Sequence, residues 1–272
     1  MKKRITITIN ENLIEEIRRW QKENMVKNRS YAIEYLLKKS LETKVKKAVI
    51  LAGGKDKFKN ILKPMVNIKN KPILEWQIRF LKKHDIEDII LIINSNREQI
   101  KRYFGDGSRF GVRINYIEEE MAKGTAAALK KIKHLVNSSF LLLYGDSLFD
   151  LDINSMLRFH KNNNASITIA LKALPKTEQY GNVFMEGNRV VEFKEKPGST
   201  ISNLISVGFF VVEPHILKEC ENVKSFEKEV LPRLLKKNSI YGYIFTGQWF
   251  DIGSEKSYKK AREEWMKNGW NF

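Results

Sequence analysis

The pattern that most constrains the fold of this chain is an alternation of short apolar runs with amphipathic helical segments. It starts at residue 45 with VKKAVILAGG and continues through PILEWQIRFLKKH, DIILIIN, REQIKRYF, VRINYIE, GTAAALKKIKHL and SFLLLYGD. Apolar β-rich runs that alternate with helices indicate a parallel sheet covered by helices on both faces. In such a sheet, ligands bind at the carboxyl ends of the strands.

The pattern changes in the second half of the chain. The runs ASITIALKAL, NVFMEG, RVVEFKEKP and ISVGFFVVEP follow one another closely, without a helical pattern between them. Close spacing predicts antiparallel strands, because parallel neighbours need long crossover connections. Helices are expected near Phe226 to Lys237 and Ser254 to Lys267. The predicted fold class is α/β, with a Rossmann-like, mostly parallel sheet, helices on both faces and an antiparallel extension.

The first 44 residues follow a different pattern. Arg4, Thr6 and Thr8 alternate with isoleucines in RITITI, which predicts a strand with one polar and one apolar face. Asn10 is a good N-cap for a first helix and Asn28 for a second. A single strand cannot satisfy its own ladder hydrogen bonds, so we expect it to pair with a second copy in a homodimer. The predicted domains are residues 1–44 and 45–272.

Charge and cysteine content narrow the partners and the compartment. The 272-residue chain has a formal net charge of +17, and residues 1–44 hold 11 Lys and Arg against 6 Glu. This balance suits a polyanionic partner. The single cysteine, Cys220, excludes an internal disulfide framework and favours a reducing cytoplasm. No run approaches the roughly 20 apolar residues of a membrane-spanning helix, so no membrane partner is expected.

The order strand, helix, helix, with KRITITIN at the start and KNRSYAIEYLL in the middle, resembles the ribbon-helix-helix family of transcriptional repressors. In that family, strands from two chains form a ribbon that enters the major groove of double-stranded DNA. The resemblance implies DNA-binding residues on the ribbon face and at the start of the second helix: Arg4, Thr6, Thr8, Asn28, Arg29 and Ser30. The alternative interpretation is a dimerisation arm whose Lys and Arg side chains are only solvated.

Eight short motifs follow in a fixed order between residues 46 and 262. They are LAGG, LKPM, NKPILEWQI, KGTAAAL, YGDS, FKEKP, SVGFFVVEP and WFDIGS. Together these motifs resemble the sugar-1-phosphate nucleotidyltransferases, the enzymes that make nucleotide sugars and release pyrophosphate. The resemblance implies that a nucleoside triphosphate or nucleotide sugar and a sugar 1-phosphate bind to residues 45–272.

The reaction of that family defines what its site must contain. A sugar phosphate oxygen attacks the α-phosphorus of the triphosphate in line, and metal and cationic groups neutralise the added charge. The resemblance implies Mg²⁺ held by Asp146 and Asp251, because Mg²⁺ favours a few carboxylate oxygens together with phosphate oxygens. It also places Lys63 on the triphosphate and Lys196 on the sugar phosphate, contacts that suit the compact lysine charge.

The other implied roles concern the nucleotide and the sugar. Gly53 and Gly54 end a strand and let the backbone approach a nucleotide closely. The full set of expected nucleotide-binding residues is Leu51, Ala52, Gly53, Gly54, Lys55, Gly124 and Thr125. Glu195 is expected to accept hydrogen bonds from sugar hydroxyls, and Gly208 to let the sugar lie close to the backbone. The Asn that family members usually carry just before this Gly is absent from ISVGF.

The loop after LAGG departs from the family pattern. Only eight residues, Lys55 to Leu62, separate Gly54 from Lys63. The arginine that such loops direct at the phosphates is missing, Phe58 stands near its place, and lysine cannot copy a bidentate guanidinium. Two hypotheses follow: a nucleotidyltransferase that also binds DNA, or a catalytically degenerate sensor whose nucleotide-sugar ligand controls DNA binding. An ordinary enzyme with an N-terminal oligomerisation clip is a third.

Overall fold

The computed structural model describes residues 6–42, 45–54, 56–93, 97–119 and 124–267. The chain divides into two compact units, residues 1–44 and residues 45–272. The first unit contains the helices α1 (Glu11–Glu23) and α2 (Arg29–Glu42). In the described part of the chain, no helix is long and apolar enough to cross a membrane.

Both helices of the first unit begin at the asparagines that the sequence predicts as caps. The side chain of Asn10 accepts a hydrogen bond from the Asn12 N–H at 2.9 Å, and that of Asn28 accepts one from the Tyr31 N–H at 3.0 Å. Residues 6–10 form neither helix nor strand in this single chain, and Arg4 lies outside the described residues. Because a strand requires a hydrogen-bonded partner, the expected ribbon stays a prediction.

The second unit contains fifteen strands and six α-helices in its described part. The strands are β1 (Lys47–Leu51), β2 (Lys57–Phe58), β3 (Ile61–Leu62), β4 (Asn67–Ile68), β5 (Lys71–Pro72), β6 (Asp88–Ile93), β7 (Arg113–Glu118), β8 (Phe140–Tyr144), β9 (Ser147–Phe149), β10 (Ile167–Ala173), β11 (Gly181–Glu186), β12 (Arg189–Glu195), β13 (Leu204–Val212), β14 (Ile240–Ile244) and β15 (Trp249–Asp251). The helices are α3 (Ile73–Lys83), α4 (Arg97–Phe104), α5 (Thr125–Lys130), α6 (Ile153–Asn162), α7 (Leu231–Leu235) and α8 (Glu255–Glu264).

Nine of these strands form one sheet in the order β10, β14, β12, β11, β13, β8, β1, β6, β7. The strands β8, β1, β6 and β7 run parallel to one another, as the alternation with helices predicts. Strand β13 joins them antiparallel to β8, and β11, β12 and β13 pair antiparallel among themselves. The sheet is therefore mixed: it contains both the expected parallel strands and the expected antiparallel extension, in which β11, β12 and β13 supply the antiparallel pairings.

Side-chain alternation along the parallel strands divides the core between the two faces of the sheet. In β1, Ala48 and Ile50 pack into one hydrophobic cluster while Val49 packs into the other. Strands β6 and β8 alternate in the same way, with Leu91 on the first face and Leu142 on the second. Strands buried on both faces carry continuous apolar runs, which explains sequences such as DIILII and FLLLY.

Several elements differ from the expected ones. Helix α6 was not anticipated, although Asp152 caps it by accepting a hydrogen bond from the Ser155 N–H at 3.0 Å. The helix expected from Phe226 starts with one π turn, Phe226–Val230, before α7. Strand β14 pairs in parallel with β10, which is distant in sequence, and no local sequence pattern predicts this pairing.

We expect Phe80→Ala to lower the free energy of unfolding by about 3–5 kcal/mol, measured by urea denaturation. Phe80 of α3 is 2% exposed and contacts the rings of Phe149 and Phe209 edge to face, so its removal leaves a cavity. The control Val191→Ala removes a side chain that is 39% exposed and should change stability by less than about 0.5 kcal/mol. Equal losses in both variants would contradict this account of the core.

Candidate active site

A cavity of about 480 Å³ lies at the carboxyl ends of β1 and β8, and we call it the strand-end cavity. Its lining includes six residues that the sequence analysis expects to contact phosphate, metal or sugar: Lys63, Asp146, Glu195, Lys196, Gly208 and Asp251. These residues come from five separate segments of the chain. The motifs that carry them therefore converge in three dimensions.

Two carboxylates and a lysine form the polar centre of the strand-end cavity. Asp146 lies in the turn after β8, and Asp251 ends β15, where it is paired with Ser147 of β9. The Lys63 Nζ lies 3.7 Å from the Asp146 Oδ2 and 3.8 Å from the Asp56 Oδ2. Lys63 begins a short 3-10 helix that buries Pro64 beside it, so its backbone is anchored near the carboxylates.

The electrostatics of this pair favour a cation. Burial raises the pKa of Asp146 above its usual range, and the nearby Lys63 opposes that shift. Burial and then the charge of Asp146 raise the pKa of Asp251 to about 6. Two carboxylates beside Lys63, which is expected to contact phosphate, fit Mg²⁺, because Mg²⁺ binds one or two carboxylates together with phosphate oxygens. No cluster of three or more His, Cys, Asp or Glu suited to a metal occurs among the described residues.

Two further side chains that the sequence reasoning missed hold these aspartates. The Gln77 Nε2 donates to the Tyr144 carbonyl at 2.8 Å and to the Ser147 carbonyl at 2.7 Å, which brackets the turn that carries Asp146. The Tyr180 hydroxyl forms a hydrogen bond with Asp251. Burial, then the charges of Asp251 and Glu178, and last this hydrogen bond raise the pKa of Tyr180 to about 12. Gln77 was signalled only as a polar residue within an apolar helical stripe.

The residues that are expected to contact the sugar are Glu195, which ends β12, and Gly208 of β13. Burial raises the pKa of Glu195, the last residue of β12, and Lys196 follows it with a φ of 47°, a left-handed conformation that turns the chain. Gly208 has a φ of 73°, and a Cβ there would lie 2.8 Å from the Tyr144 ring, so the position requires glycine.

The expected nucleotide-binding segments border this region but are not part of the cavity lining. Leu51 accepts a hydrogen bond from the Gly145 N–H at 3.0 Å, and a Cβ on Gly145 would lie 3.1 Å from the Ala52 Cβ. Gly53 and Gly54 follow outside any helix or strand, while Lys55 lies outside the described residues. Their contact with a nucleotide stays a prediction.

Gly124 and Thr125 lie at the start of α5. Gly124 has a φ of 109°, and a Cβ there would lie 2.2 Å from the Lys224 carbonyl oxygen. The Thr125 hydroxyl donates to the Glu227 Oε2 and accepts from the Phe226 N–H, each at 2.9 Å. The side chain of Thr125 therefore connects two protein segments, and only its backbone is left for the predicted nucleotide contact.

The short loop after LAGG folds as a hairpin of β2 and β3. Its turn residues Lys59 and Asn60 both have positive φ, 50° and 65°. Phe58 packs on Tyr258 of α8 with ring centroids 4.9 Å apart, and the Lys59 Nζ lies 3.0 Å from the Glu255 Oε1. Phe58 and Lys59 are therefore engaged with α8, and the loop residue that lines the cavity is the acidic Asp56.

In the first unit, the predicted DNA-binding residues are all exposed where they are described. Thr6 and Thr8 precede α1, Asn28 caps α2, and Arg29 and Ser30 are the first residues of α2. Arg29 also borders a groove whose other basic residues are Arg18, Arg19, Lys22 and Lys27. A cluster of cations surrounds the start of α2.

Solved structures share the fold of the second unit. A putative glucose-1-phosphate thymidylyltransferase from Bacillus anthracis aligns with a TM-score of 0.74 at 22% identity, covering 83% of this chain and 97% of that one. HddC from Yersinia pseudotuberculosis aligns with a TM-score of 0.71 at 24% identity, covering 80% of this chain and 99% of that one. The second unit has the mixed α/β fold of sugar-1-phosphate nucleotidyltransferases.

Sequence comparison supports the same class. The profile of the nucleotidyl transferase family matches residues 47–268, and the chain belongs to that family. It is 34% identical over 226 residues to a D-glycero-α-D-manno-heptose 1-phosphate guanylyltransferase from Aneurinibacillus thermoaerophilus, covering 80% of this chain and 97% of the relative. It is 31% identical over 240 residues to a UTP-glucose-1-phosphate uridylyltransferase from a Synechocystis strain, covering 79% of this chain and 62% of the relative.

We expect Asp251→Asn to stabilise the protein at pH 7 by on the order of 1–3 kcal/mol in the absence of divalent cations. The folded-state pKa of Asp251 is raised to about 6, so ionised Asp251 opposes folding, and this cost develops as the pH rises from about 4 to about 6. The gain measured by urea denaturation should shrink toward pH 4. Exposed Glu263→Gln is the control; destabilisation by Asp251→Asn at pH 7 would contradict the charge assignment.

Proposed function

We propose that the second unit transfers a nucleotidyl group from a nucleoside triphosphate to a sugar 1-phosphate. The observation that carries the proposal is the convergence of Lys63, Asp146, Asp251 and Lys196 on one cavity, with Glu195 on its wall. Lysines and a carboxylate pair suit phosphate groups and a cation, and Glu195, whose Oε1 lies 4.0 Å from the Lys196 Nζ, offers an acceptor for sugar hydroxyls beside them. The lining therefore suits a substrate that carries both phosphate and sugar groups.

In the proposed reaction, a phosphate oxygen of the sugar 1-phosphate forms a bond to the α-phosphorus of the triphosphate. The bond from the α-phosphorus to the oxygen that bridges to the β-phosphate breaks, and pyrophosphate leaves with that oxygen. Lys63 neutralises charge on the triphosphate and Lys196 orients the sugar phosphate. Mg²⁺, held by Asp146 and Asp251 when bound, would neutralise further phosphate charge. Tyr180 and Gln77 keep the two aspartates in place.

The sensor hypothesis stays as a second candidate because of the loop after β1. Phe58 and Lys59 contact Tyr258 and Glu255 of α8, so neither is free to contact phosphate. Asp56 adds a negative charge to the cavity in which a triphosphate would lie. The loss of one preorganised phosphate contact costs on the order of 3 kcal/mol, about a hundredfold in rate. Ligand binding without turnover is the property that separates the sensor from the transferase.

The transferase proposal is tested by pyrophosphate release with Mg²⁺ across pairs of nucleoside triphosphates and sugar 1-phosphates. We expect one pair to react, and Lys196→Met to lower kcat/KM at least about a hundredfold, because Lys196 supplies a charge on the sugar phosphate. The control Lys194→Met alters an exposed lysine of β12, two residues before Lys196 and paired with Glu192, and should change kcat/KM less than twofold. No release from any pair, combined with stabilisation by a nucleotide sugar, would instead support the sensor.

We also propose that residues 1–44 form a ribbon-helix-helix unit that binds double-stranded DNA as a homodimer. Ile7, Ile9, Ile14, Ile17 and Ile33 surround a small cavity of about 140 Å³, so the isoleucine row faces the helices. Thr6 and Thr8 are exposed, which leaves the polar row available for bases.

The dimer is supported by the apolar surface of the first unit. Leu13 is 49% exposed and Leu37 is 55% exposed, although both belong to helices that also carry the buried Ile17 and Ala32. A unit of this size buries too little apolar surface to be stable alone, and a second copy would cover the rest. The basic groove around Arg29 supplies charges for DNA phosphate.

For this second proposal, we expect selection from a random pool of DNA duplexes to yield a palindromic site that binds in a salt-dependent manner. Thr8→Ala should relax the sequence preference, whereas Arg29→Ala should weaken binding to all duplexes and reduce the salt slope by about 1. Lys57→Ala in the second unit is the control. A dimer by light scattering that binds no duplex would identify residues 1–44 as an oligomerisation clip.

A further inference from the structure

One carboxyl group on the wall of the strand-end cavity has no role in the reaction as described above. Glu227 lies in the π turn that precedes α7, and it is 9% exposed. Its Oε2 accepts hydrogen bonds from the Thr125 hydroxyl at 2.9 Å and from the Ser225 hydroxyl at 3.0 Å. These two bonds fix the orientation of the carboxyl group.

The other oxygen of this carboxyl group is unsatisfied. The Glu227 Oε1 is buried and has no hydrogen-bond partner among the described residues. An unpaired buried carboxyl oxygen is costly, and native proteins seldom keep one without a ligand, ion or water to pair with it. Because Glu227 lines the strand-end cavity, a ligand in that cavity can supply the partner.

Two more unpaired polar atoms occur on residues that line the same cavity. The Tyr144 hydroxyl and the Trp249 Nε1 are both buried and lack a partner among the described residues. Tyr144 also contacts the position where a Cβ on Gly208 would lie, next to the expected sugar. These three residues, which all line the cavity, carry an acceptor, a hydroxyl and an N–H donor without partners, a set that suits a ligand with several hydroxyl groups.

The charge of the cavity decides which end of the substrate meets Glu227. Lys63 and Lys196 attract the phosphate groups, whereas a carboxyl group would repel them. Glu227 and Glu195 line the cavity as acceptors for uncharged hydroxyls. Burial raises the pKa of Glu227, and a sugar hydroxyl can pair with either protonation state because it both donates and accepts.

We propose that the Glu227 Oε1 forms a hydrogen bond with a hydroxyl group of the bound sugar, which makes Glu227 a specificity-determining residue of the sugar subsite. The inference rests on the proposed function only in taking the ligand to be a nucleotide-linked sugar. Thr125, at the start of α5, donates to the Oε2 of the same carboxyl group. The carboxyl group of Glu227 would therefore bond to the sugar through one oxygen and to α5 through the other. Glu227 thereby connects sugar recognition to the segment that is expected to contact the nucleotide.

The test is equilibrium binding by calorimetry, which needs no turnover. The probes are GDP-mannose, UDP-glucose and dTDP-glucose, each compared with GDP, UDP or dTDP on the full chain with Mg²⁺. We expect the unaltered protein to bind one nucleotide sugar more tightly than its nucleoside diphosphate. Glu227→Gln should weaken binding of that nucleotide sugar at least about tenfold and change binding of the diphosphate less than twofold.

Two controls separate recognition from loosened structure. Ser225→Ala removes one hydrogen bond to the Oε2 and leaves the Oε1, so the ratio of the two affinities should change less than twofold. Glu221→Gln alters an exposed carboxyl group paired with Lys133 and should change neither affinity. If Glu227→Gln does not fold, Glu227→Asp withdraws the carboxyl group by one methylene and should produce the same selective loss.

Monodeoxy analogues of the bound sugar provide a readout on the unaltered protein. Removal of one particular hydroxyl should weaken binding about tenfold, and that loss should be absent in Glu227→Gln. An unchanged affinity ratio in Glu227→Gln, equal weakening of nucleotide sugar and diphosphate, or no effect of any deoxygenation overturns the inference. It is also overturned if no nucleotide sugar binds more tightly than its diphosphate. Failure of the unaltered protein to release pyrophosphate would refute the transferase proposal alone.

Discussion

The arrangement of the second unit depends on the contact between the ends of β1 and β8. These strands are parallel neighbours, and the Gly145 N–H donates to the Leu51 carbonyl immediately beyond their last paired residues. Glycine suits position 145, because a Cβ there would lie only 3.1 Å from the Ala52 Cβ. This close approach sets the path of the turn that carries Asp146. Gln77 fixes the same turn from the side of α3, so a helix and two strands determine the position of one carboxylate.

The residues that line the strand-end cavity carry two kinds of chemical group. Lys63, Lys196 and the aspartate pair supply groups suited to phosphate and a cation, and the repulsion between the aspartates is a cost that the folded protein carries in the absence of a cation. Glu195 and Glu227 line the same cavity, and both have raised pKa values because they are buried. Binding sites commonly retain such strained or incompletely paired groups, since the ligand supplies the missing interactions.

The first unit presents a contrast in how stability is achieved. The second unit covers its sheet on both faces, whereas the first leaves Ile7, Leu13 and Leu37 about half exposed. Its helices are well capped at Asn10 and Asn28, which stabilises their ends without supplying a core. The half-exposed apolar side chains and the predicted strand of this unit would both gain from a partner, which would cover the first and supply hydrogen bonds to the second. Homodimerisation would satisfy both requirements.

Much of the fold was readable from local pattern, and the exceptions share a physical cause. The parallel strands β1, β6, β7 and β8 follow from their apolar runs. Lys63, Asp146 and Asp251 were assigned to one site because each lies in a short motif, and all three line the strand-end cavity. The pairing of β14 with β10 was missed, because strand partners are chosen by long-range packing. Helix α6 is a different failure, since its cap at Asp152 was a local signal that was overlooked.

The sequence by itself determined the order of strands and helices, the helix caps and the family to which the chain belongs, because these depend on neighbouring residues and on motif order. Only the tertiary structure decided that Thr125 and Glu227, 102 residues apart, share a hydrogen bond, and that Gln77 holds a turn 67–70 residues away. It also decided that Phe58, near the place of the missing arginine, packs on Tyr258. Such contacts arise from the packing of elements distant in sequence, and local periodicity carries no information about them.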